Sequence, residues 1–291
     1  MIVVTGSSGA GTSTVRRTLE SIFYRNRLKS VVIEGDSFHR YDRKGMREKV
    51  EQANRAGISF SHFGEMANLF ERQEALFRSY GETGQGERRY YLHDSEEARL
   101  HGERLGEEFE SGQFTPWESL EPDTDLLFYE GLHGLVKTDT VDMTRYADLK
   151  VGVVPVVNIE WIQKIHRDSA ERGYSKDEVV DNILRRMPDY VKYITPQFSQ
   201  TDINFQRVAT VDTSNPFIAR DIPTLDESFV VIRFRKPDIR NTDFTNLLSM
   251  ISGSFMSRRN TIVVPGGKMG LAMEIILTPI ITDLMEQRRH A

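Results

Sequence analysis

Ile2-Val3-Val4-Thr5-Gly6-Ser7-Ser8-Gly9-Ala10-Gly11-Thr12-Ser13-Thr14 joins a short apolar run to a glycine-rich turn at the start of the chain. Gly6 and Gly11 fit the phosphate-binding pattern G-x-x-x-x-G-K-[ST], but Thr12 stands where the lysine belongs. In such a loop successive backbone N–H groups form an anion nest, and the following helix N-terminus adds a favourable dipole. Ser13 holds the position whose hydroxyl ordinarily ligates Mg²⁺. A plain strand-to-helix turn is the alternative for the loop taken alone. The apolar strand before it and the helical pattern from Ser13 to Phe23 supply the context that nucleotide binding requires. The cation that touches the β and γ phosphates must then come from elsewhere in the chain.

Outward from the loop, strands alternate with helices. Val31-Val32-Ile33-Glu34-Gly35-Asp36, Leu126-Leu127-Phe128-Tyr129-Glu130-Gly131 and Leu149 to Val154 read as strands. Phe229 to Phe234 and Thr261 to Val264 read as later strands, with an antiparallel arrangement open to them. Residues 43 to 80 are mostly helical in pattern, broken near Gly57 and Gly64. Ile159 to Arg172, Lys176 to Tyr193 and Lys268 to about Arg289 read as further helices. Gly81 to Pro122 is polar and glycine-rich, which predicts an irregular surface insertion. The alternation predicts an α/β fold, a mixed sheet with a parallel centre flanked by helices. No repeat or linker divides residues 1–291, so one domain is expected.

Bulk composition excludes several classes. The formal net charge of -5 lacks the basic footprint of non-specific nucleic-acid binding. The absence of cysteine removes disulfides, thiolate metal sites and cysteine nucleophiles. Met1 leads directly into the first strand without a secretory pattern, and Leu271 to Ile281 contains Glu274 and Pro279 and is short for a bilayer span. A cytoplasmic location without membrane or nucleic-acid partners is expected.

Three further places carry chemistry. Asp36 lies just past a strand's carboxyl end, where open α/β sheets place ligands. There it can serve as general base for an attacking hydroxyl, or act as an N-cap or magnesium ligand. His39, Arg40 and Arg43 follow closely, either as a grip for an anionic substrate or as a solvated helix start. Glu130 ends the third strand where phosphate-loop enzymes orient Mg²⁺, and nearby His133 is either structural or in reach of substrate. Lys164, Arg167, Asp168 and Arg172 recur at i, i+3, i+4 and i+8, so a helix puts them on one face about 12 Å long. Ordinary pairing explains Lys164 with Asp168. It gives no reason for three cations before Gly173, which could stabilise charge in phosphoryl transfer. Lys164 or Arg172 is thus a candidate replacement for the loop lysine.

With these motifs, the chain resembles the bacterial (proteobacterial) type of the phosphoribulokinase family from end to end. The resemblance includes Tyr80-Gly81-Glu82-Thr83-Gly84-Gln85-Gly86, Glu160-Trp161-Ile162-Gln163-Lys164, Pro196 to Arg207 and Asp212-Thr213-Ser214-Asn215-Pro216-Phe217. A loop without lysine is itself a trait of the bacterial members. The resemblance implies a nucleoside- and nucleotide-kinase-like P-loop fold and transfer of the ATP γ-phosphate to O1 of ribulose 5-phosphate. It implies Asp36 as the base, Asp168 and Glu130 managing Mg²⁺–ATP, Lys164, Arg167 and Arg172 on phosphates, and His39 and Arg43 on the sugar phosphate. It also implies large homo-oligomers, often octamers, activated by NADH and inhibited by AMP, with Arg25 and Arg233 at positions linked to regulation. A kinase of another small acceptor, uridine-kinase- or pantothenate-kinase-like, and a catalytically silent nucleotide-binding regulator are the competing readings.

Overall fold

The computed structural model of the chain describes residues 1–6, 12–171, 175–236 and 242–290, apart from the side chains of 12, 13 and 171. In chain order its elements begin with β1 (Ile2–Gly6), α1 (Thr12–Arg25), β2 (Ser30–Glu34), α2 (Arg43–Arg55) and α3 (Phe70–Thr83). There follow β3 (Glu87–Arg88), α4 (Ser95–Leu105), β4 (Glu118–Ser119), β5 (Leu126–Gly131) and β6 (Leu149–Val154). Next come α5 (Val157–Glu171), α6 (Lys176–Asp189), β7 (Ile203–Ala209), β8 (Ser228–Phe234), α7 (Phe244–Met250), β9 (Phe255–Arg258), β10 (Thr261–Pro265) and α8 (Met269–His290).

Eight strands form one sheet in the order β2-β5-β1-β6-β7-β8-β10-β9. The first five are mutually parallel, and β8, β10 and β9 continue antiparallel. This is the mixed sheet with a parallel centre that the alternation predicted. Parallel strands covered on both faces need apolar side chains in both directions, and β1 is buried at all five positions. Ile2, Val4, Leu126, Phe128 and Val151 face one core, which α1 completes with Val15, Leu19, Ile22 and Phe23 and α8 with Met273, Ile276, Leu277 and Ile280. Val3, Val31, Ile33, Leu127 and Tyr129 face the other, against Phe38, Phe70, Phe77 and Tyr80. The period of two across a strand and the spacing of 15, 19, 22 and 23 on α1 therefore assign each residue its layer. A third, small core of Ile165, Val179 and Ile183 joins α5 to α6.

The structure corrects parts of the reading from sequence. β2 ends at Glu34, and Asp36 lies in a 3₁₀ turn, Gly35–Phe38. The stretch from 81 to 122 is not merely irregular, because α4 and the β3–β4 pair lie within it. β7, β9 and α7 carry no apolar run of their own and were not expected. Pro188 removes a backbone donor near the end of α6, and the chain passes into a π-helical turn at Tyr190–Ile194.

Candidate active site

The carboxyl ends of β1, β2, β5 and β6 lie along one edge of the sheet, which brings Gly6, Glu34, Gly131 and Val154 to it. Register places Glu130 beside Val4 on one flank and Glu34 on the other. Just beyond, the backbones of Gly35 and Gly131 cross so closely that a Cβ on Gly131 would lie 2.7 Å from Gly35 Cα. A Cβ on Gly35 would meet the Tyr129 hydroxyl at 2.5 Å. Only two glycines allow this approach, and it sets the turn carrying Asp36 against the strand carrying Glu130. Arg16 of α1 ties the same edge to the helix, donating to Glu34 through Nη1 and to Glu20 through Nε.

Asp36 lies between two imidazoles. His39 Nε2 stands 3.3 Å from its Oδ1, and His93 Nε2 lies 3.9 Å from its Oδ2. Burial works to raise the Asp36 pKa, but the hydrogen bond and charge of His39, with smaller effects from His93 and His133, bring it down to about 2. Burial lowers the His39 pKa, while Asp36 and Asn68 outweigh it and leave the value above the ordinary 6.5. Each partner thus favours the charged form of the other. Arg89 holds the turn from behind, donating from Nε to the Ser37 carbonyl at 2.8 Å and from Nη2 to the His39 carbonyl at 2.5 Å. Its guanidinium lies 3.7 Å over the Phe114 ring. Burial, with Arg72 nearby, lowers its pKa to about 10.

Arg43 is engaged with the backbone of His93. It opens α2, and its Nη2 donates to the His93 carbonyl at 2.8 Å while Nη1 reaches Ser111 Oγ at 3.3 Å. Arg43 therefore tethers the segment that delivers His93. His133 takes the structural alternative: it is 2 % exposed, and its Nε2–H donates to the Phe63 carbonyl at 2.9 Å. Burial drives its pKa down to about 3, so it is neutral.

On α5 the one-face arrangement is present as far as the described residues reach. Lys164 Nζ lies 2.5 Å from Asp168 Oδ2, and Arg167 Nε donates to Asp168 Oδ1 at 3.1 Å. The Asp168 side chain is 5 % exposed. Burial works to raise its pKa, but the two cations hold it below the ordinary carboxylate range. Lys164 is lowered, first by burial and then by Arg186 of α6. His62 links the two halves of the site: burial pushes its pKa far down, helped by Arg186 and Lys164 on one side and His39 and His133 on the other. Ser7, Ser8, Gly9, Ala10, Gly11 and Arg172 lie outside the described residues, as do the side chains of Thr12 and Ser13; Gly6 ends β1, and Thr14 lies in the first turn of α1.

Among the described residues no group of three or more His, Asp and Glu side chains could hold an ion by itself. Mg²⁺ is ordinarily held by one or two carboxylates plus substrate phosphates and water, so hard oxygen donors such as Glu130 and Asp168 suit it with a polyphosphate present. A cavity of about 480 Å³ opens at the same sheet edge beneath the antiparallel strands, lined by Thr210, Leu225, Ser228, Pro265, Gly266 and Lys268 among others. Sequence reasoning missed His93, Asn68, Arg89 and Arg186, which reach the site from other segments. The one signal for His93 was its place beside Asp94, the N-cap of α4.

The profile of the Phosphoribulokinase / Uridine kinase family matches residues 1–214. The chain is 62% identical over 292 residues to a chromosomal phosphoribulokinase of Cupriavidus necator, covering 100% of this chain and 97% of that one. It is 58% identical to a phosphoribulokinase of Nitrobacter vulgaris, covering 100% of this chain and 98% of that one. The solved structure titled phosphoribulokinase from Rhodobacter spheroides superimposes with a TM-score of 0.89 at 54% identity, covering 99% of this chain and 98% of that one.

Proposed function

The chain belongs to the phosphoribulokinase / uridine kinase family, and from this we infer that it is an ATP-dependent phosphotransferase acting on D-ribulose 5-phosphate. The reaction transfers the γ-phosphoryl group of ATP to O1, giving ribulose 1,5-bisphosphate and ADP. It is a step of the reductive pentose phosphate pathway. The observation that best supports this reaction at this site is an ionised carboxylate, Asp36, on the ligand-bearing edge of a P-loop sheet, flanked by two imidazoles.

The residue roles follow from that placement. Asp36 takes the O1 proton: the O1–H bond breaks, its electron pair forms the O1–phosphorus bond, and the bond from phosphorus to the bridging oxygen of ADP breaks. Removing such a base typically costs about 10²–10⁴-fold in rate. His39 and His93 flank the carboxylate, His39 with its ring nitrogens engaged by Asn68 and Asp36, and Arg43 moors the segment that carries His93 beside the acceptor. Lys164, Arg167 and Arg172 stabilise phosphate charge from α5 and the residues after it, in place of the absent loop lysine. Gly6 to Thr14 cradles the polyphosphate. Ser13, Glu130 and Asp168 are the residues that would hold Mg²⁺, which neutralises charge on the β and γ phosphates when bound.

The reading extends to the whole chain as one kinase domain, supported by the eight-stranded sheet that draws its strands from both halves of the chain. It extends also to a cytoplasmic homo-oligomer, an octamer, activated by NADH, on the strength of the resemblance and of Arg25 and Arg233. No described helix is long and apolar enough to cross a membrane. A coupled ADP-release assay with ribulose 5-phosphate, with and without NADH, tests substrate and regulation together. The expected outcome is acceptor-dependent ADP release that NADH raises. ATP binding without turnover on any of a panel of sugar phosphates would overturn the kinase assignment.

A further inference from the structure

Asn68 is 1 % exposed and precedes α3 by two residues, far in sequence from the Asp36 turn. An isolated antiparallel bridge brings the two together, with Arg40 N donating to the Ala67 carbonyl and Leu69 N to the Phe38 carbonyl. The Asn68 side chain then has no freedom of orientation. Its Nδ2 donates to two backbone carbonyls, His62 at 2.9 Å and Gly64 at 2.7 Å, and carbonyls can only accept. Oδ1 is therefore the atom 2.7 Å from His39 Nδ1, and it can only accept as well. A flipped amide would set its oxygen against two carbonyl oxygens, which can only accept.

We propose that Asn68 is a positioning residue for the reaction: it fixes a proton on His39 Nδ1, so that Nε2, the nitrogen facing Asp36, is the one that binds and releases a proton. The inference deepens the reading of Asp36 as the base and rests on it. With Nδ1 committed, a neutral His39 would present a lone pair to the Asp36 carboxylate. Attraction across the 3.3 Å gap requires a proton at Nε2. That proton keeps Asp36 ionised and its Oδ1 occupied. Oδ2 is the oxygen left toward the acceptor hydroxyl, with His93 beside it at 3.9 Å. The same amide pins residues 62 to 64, so the imidazole and the His62 loop move together. The charged and titratable groups around His39 are Asp36, His62, Arg89 and His133, with His93 reaching Asp36 from the far side.

The test uses the full-length protein with ¹⁵N-labelled histidine and needs no substrate, so its failure is distinct from failure of the kinase assignment. His39 is recognised by the resonances lost in His39→Gln. In the unmutated protein, above the His39 titration, Nδ1 is expected to carry the proton and Nε2 to be bare. Asn68→Ala is expected to shift that tautomer toward Nε2–H and to lower the His39 titration, because the acceptor that favours the imidazolium is gone. It is also expected to reduce kcat by about tenfold or more with KM for ATP unchanged, by analogy with the cost of removing the outer hydrogen-bond partner of a metal-bound histidine. A neutral His39 protonated at Nε2 in the unmutated protein would overturn the proposal, even if Asn68→Ala failed to fold. So would an Asn68→Ala protein with unmoved His39 titration and kcat.

Discussion

His133 makes the acid sensitivity of this fold calculable. Its imidazole is 2 % exposed, packs against Phe70 with ring centroids 5.0 Å apart, and spends its one N–H on the Phe63 carbonyl. Its folded pKa is about 3, against 6.5 for an ordinary histidine. The depressed folded value means that the stabilisation is complete above the unfolded value and is lost as pH falls from about 6.5 toward about 3. Between about pH 7 and pH 5 the unfolded state gains protonation worth a factor of about 25, while the folded histidine stays neutral, so unfolding becomes easier by about 2 kcal/mol. His62 adds to this loss, and His39, whose folded pKa is raised, opposes it. Both are present in a His133→Gln protein, so their effects cancel in a comparison. The glutamine amide keeps a donor for Phe63 but does not titrate. Urea unfolding followed by tryptophan fluorescence at the two pH values should show the variant losing about 2 kcal/mol less than the unmutated chain, whatever its stability at neutral pH. Equal losses in the two proteins would refute the reasoning, because His133 would then gain its proton without unfolding.

Asp36→Asn should reduce kcat by about 10²–10⁴-fold and leave both KM values little changed, since the lost interaction belongs to the transition state. Steady-state ADP release checks this, and a large rise in both KM values with intact kcat would mean the role is misassigned. Lys164→Ala should reduce kcat at saturating ATP by about 10²-fold, the scale for one donor to transferring charge, and normal turnover would remove Lys164 from the role. Gly35→Ala should destabilise the fold by about 1–3 kcal/mol, because the new methyl meets the buried Tyr129 hydroxyl and the Gly131 backbone. Thermal unfolding reads that effect, and an unchanged midpoint would show that the crossing has slack.

Much of the parallel half of the sheet was legible because its strands are near-continuous apolar runs, three of them ending in glycine or acid. Ile203–Ala209 was not. It pairs parallel with one neighbour and antiparallel with the other, and Asn204, Gln206 and Arg207 interrupt its apolar pattern. Helix α4 had local signals that the polar composition around it hid. Asp94 accepts from Glu96 N and Glu97 N, the Glu97 carboxylate accepts from His93 N, and Gly106 closes the other end at φ 71. The cations of α5 were visible from helical spacing within one segment. Arg186, Asn68, Arg89 and His93 were not, since each reaches the site by tertiary packing that no local period encodes.

The two imidazoles beside Asp36 differ in how they are anchored, and the difference divides the labour of change. His39 is bound into the scaffold through a buried amide and a backbone bridge, so altering it disturbs the chemistry and the core together. His93 sits at the mouth of a short helix, outside the main sheet, and its carbonyl is moored to α2 by the Arg43 guanidinium. The stretch around α4, between the anchors Arg89 and Leu120, can thus change in length or sequence without rebuilding the strands that position the phosphoryl donor. Laboratory evolution toward a different acceptor should accumulate its substitutions in that segment, with the transfer apparatus inherited intact.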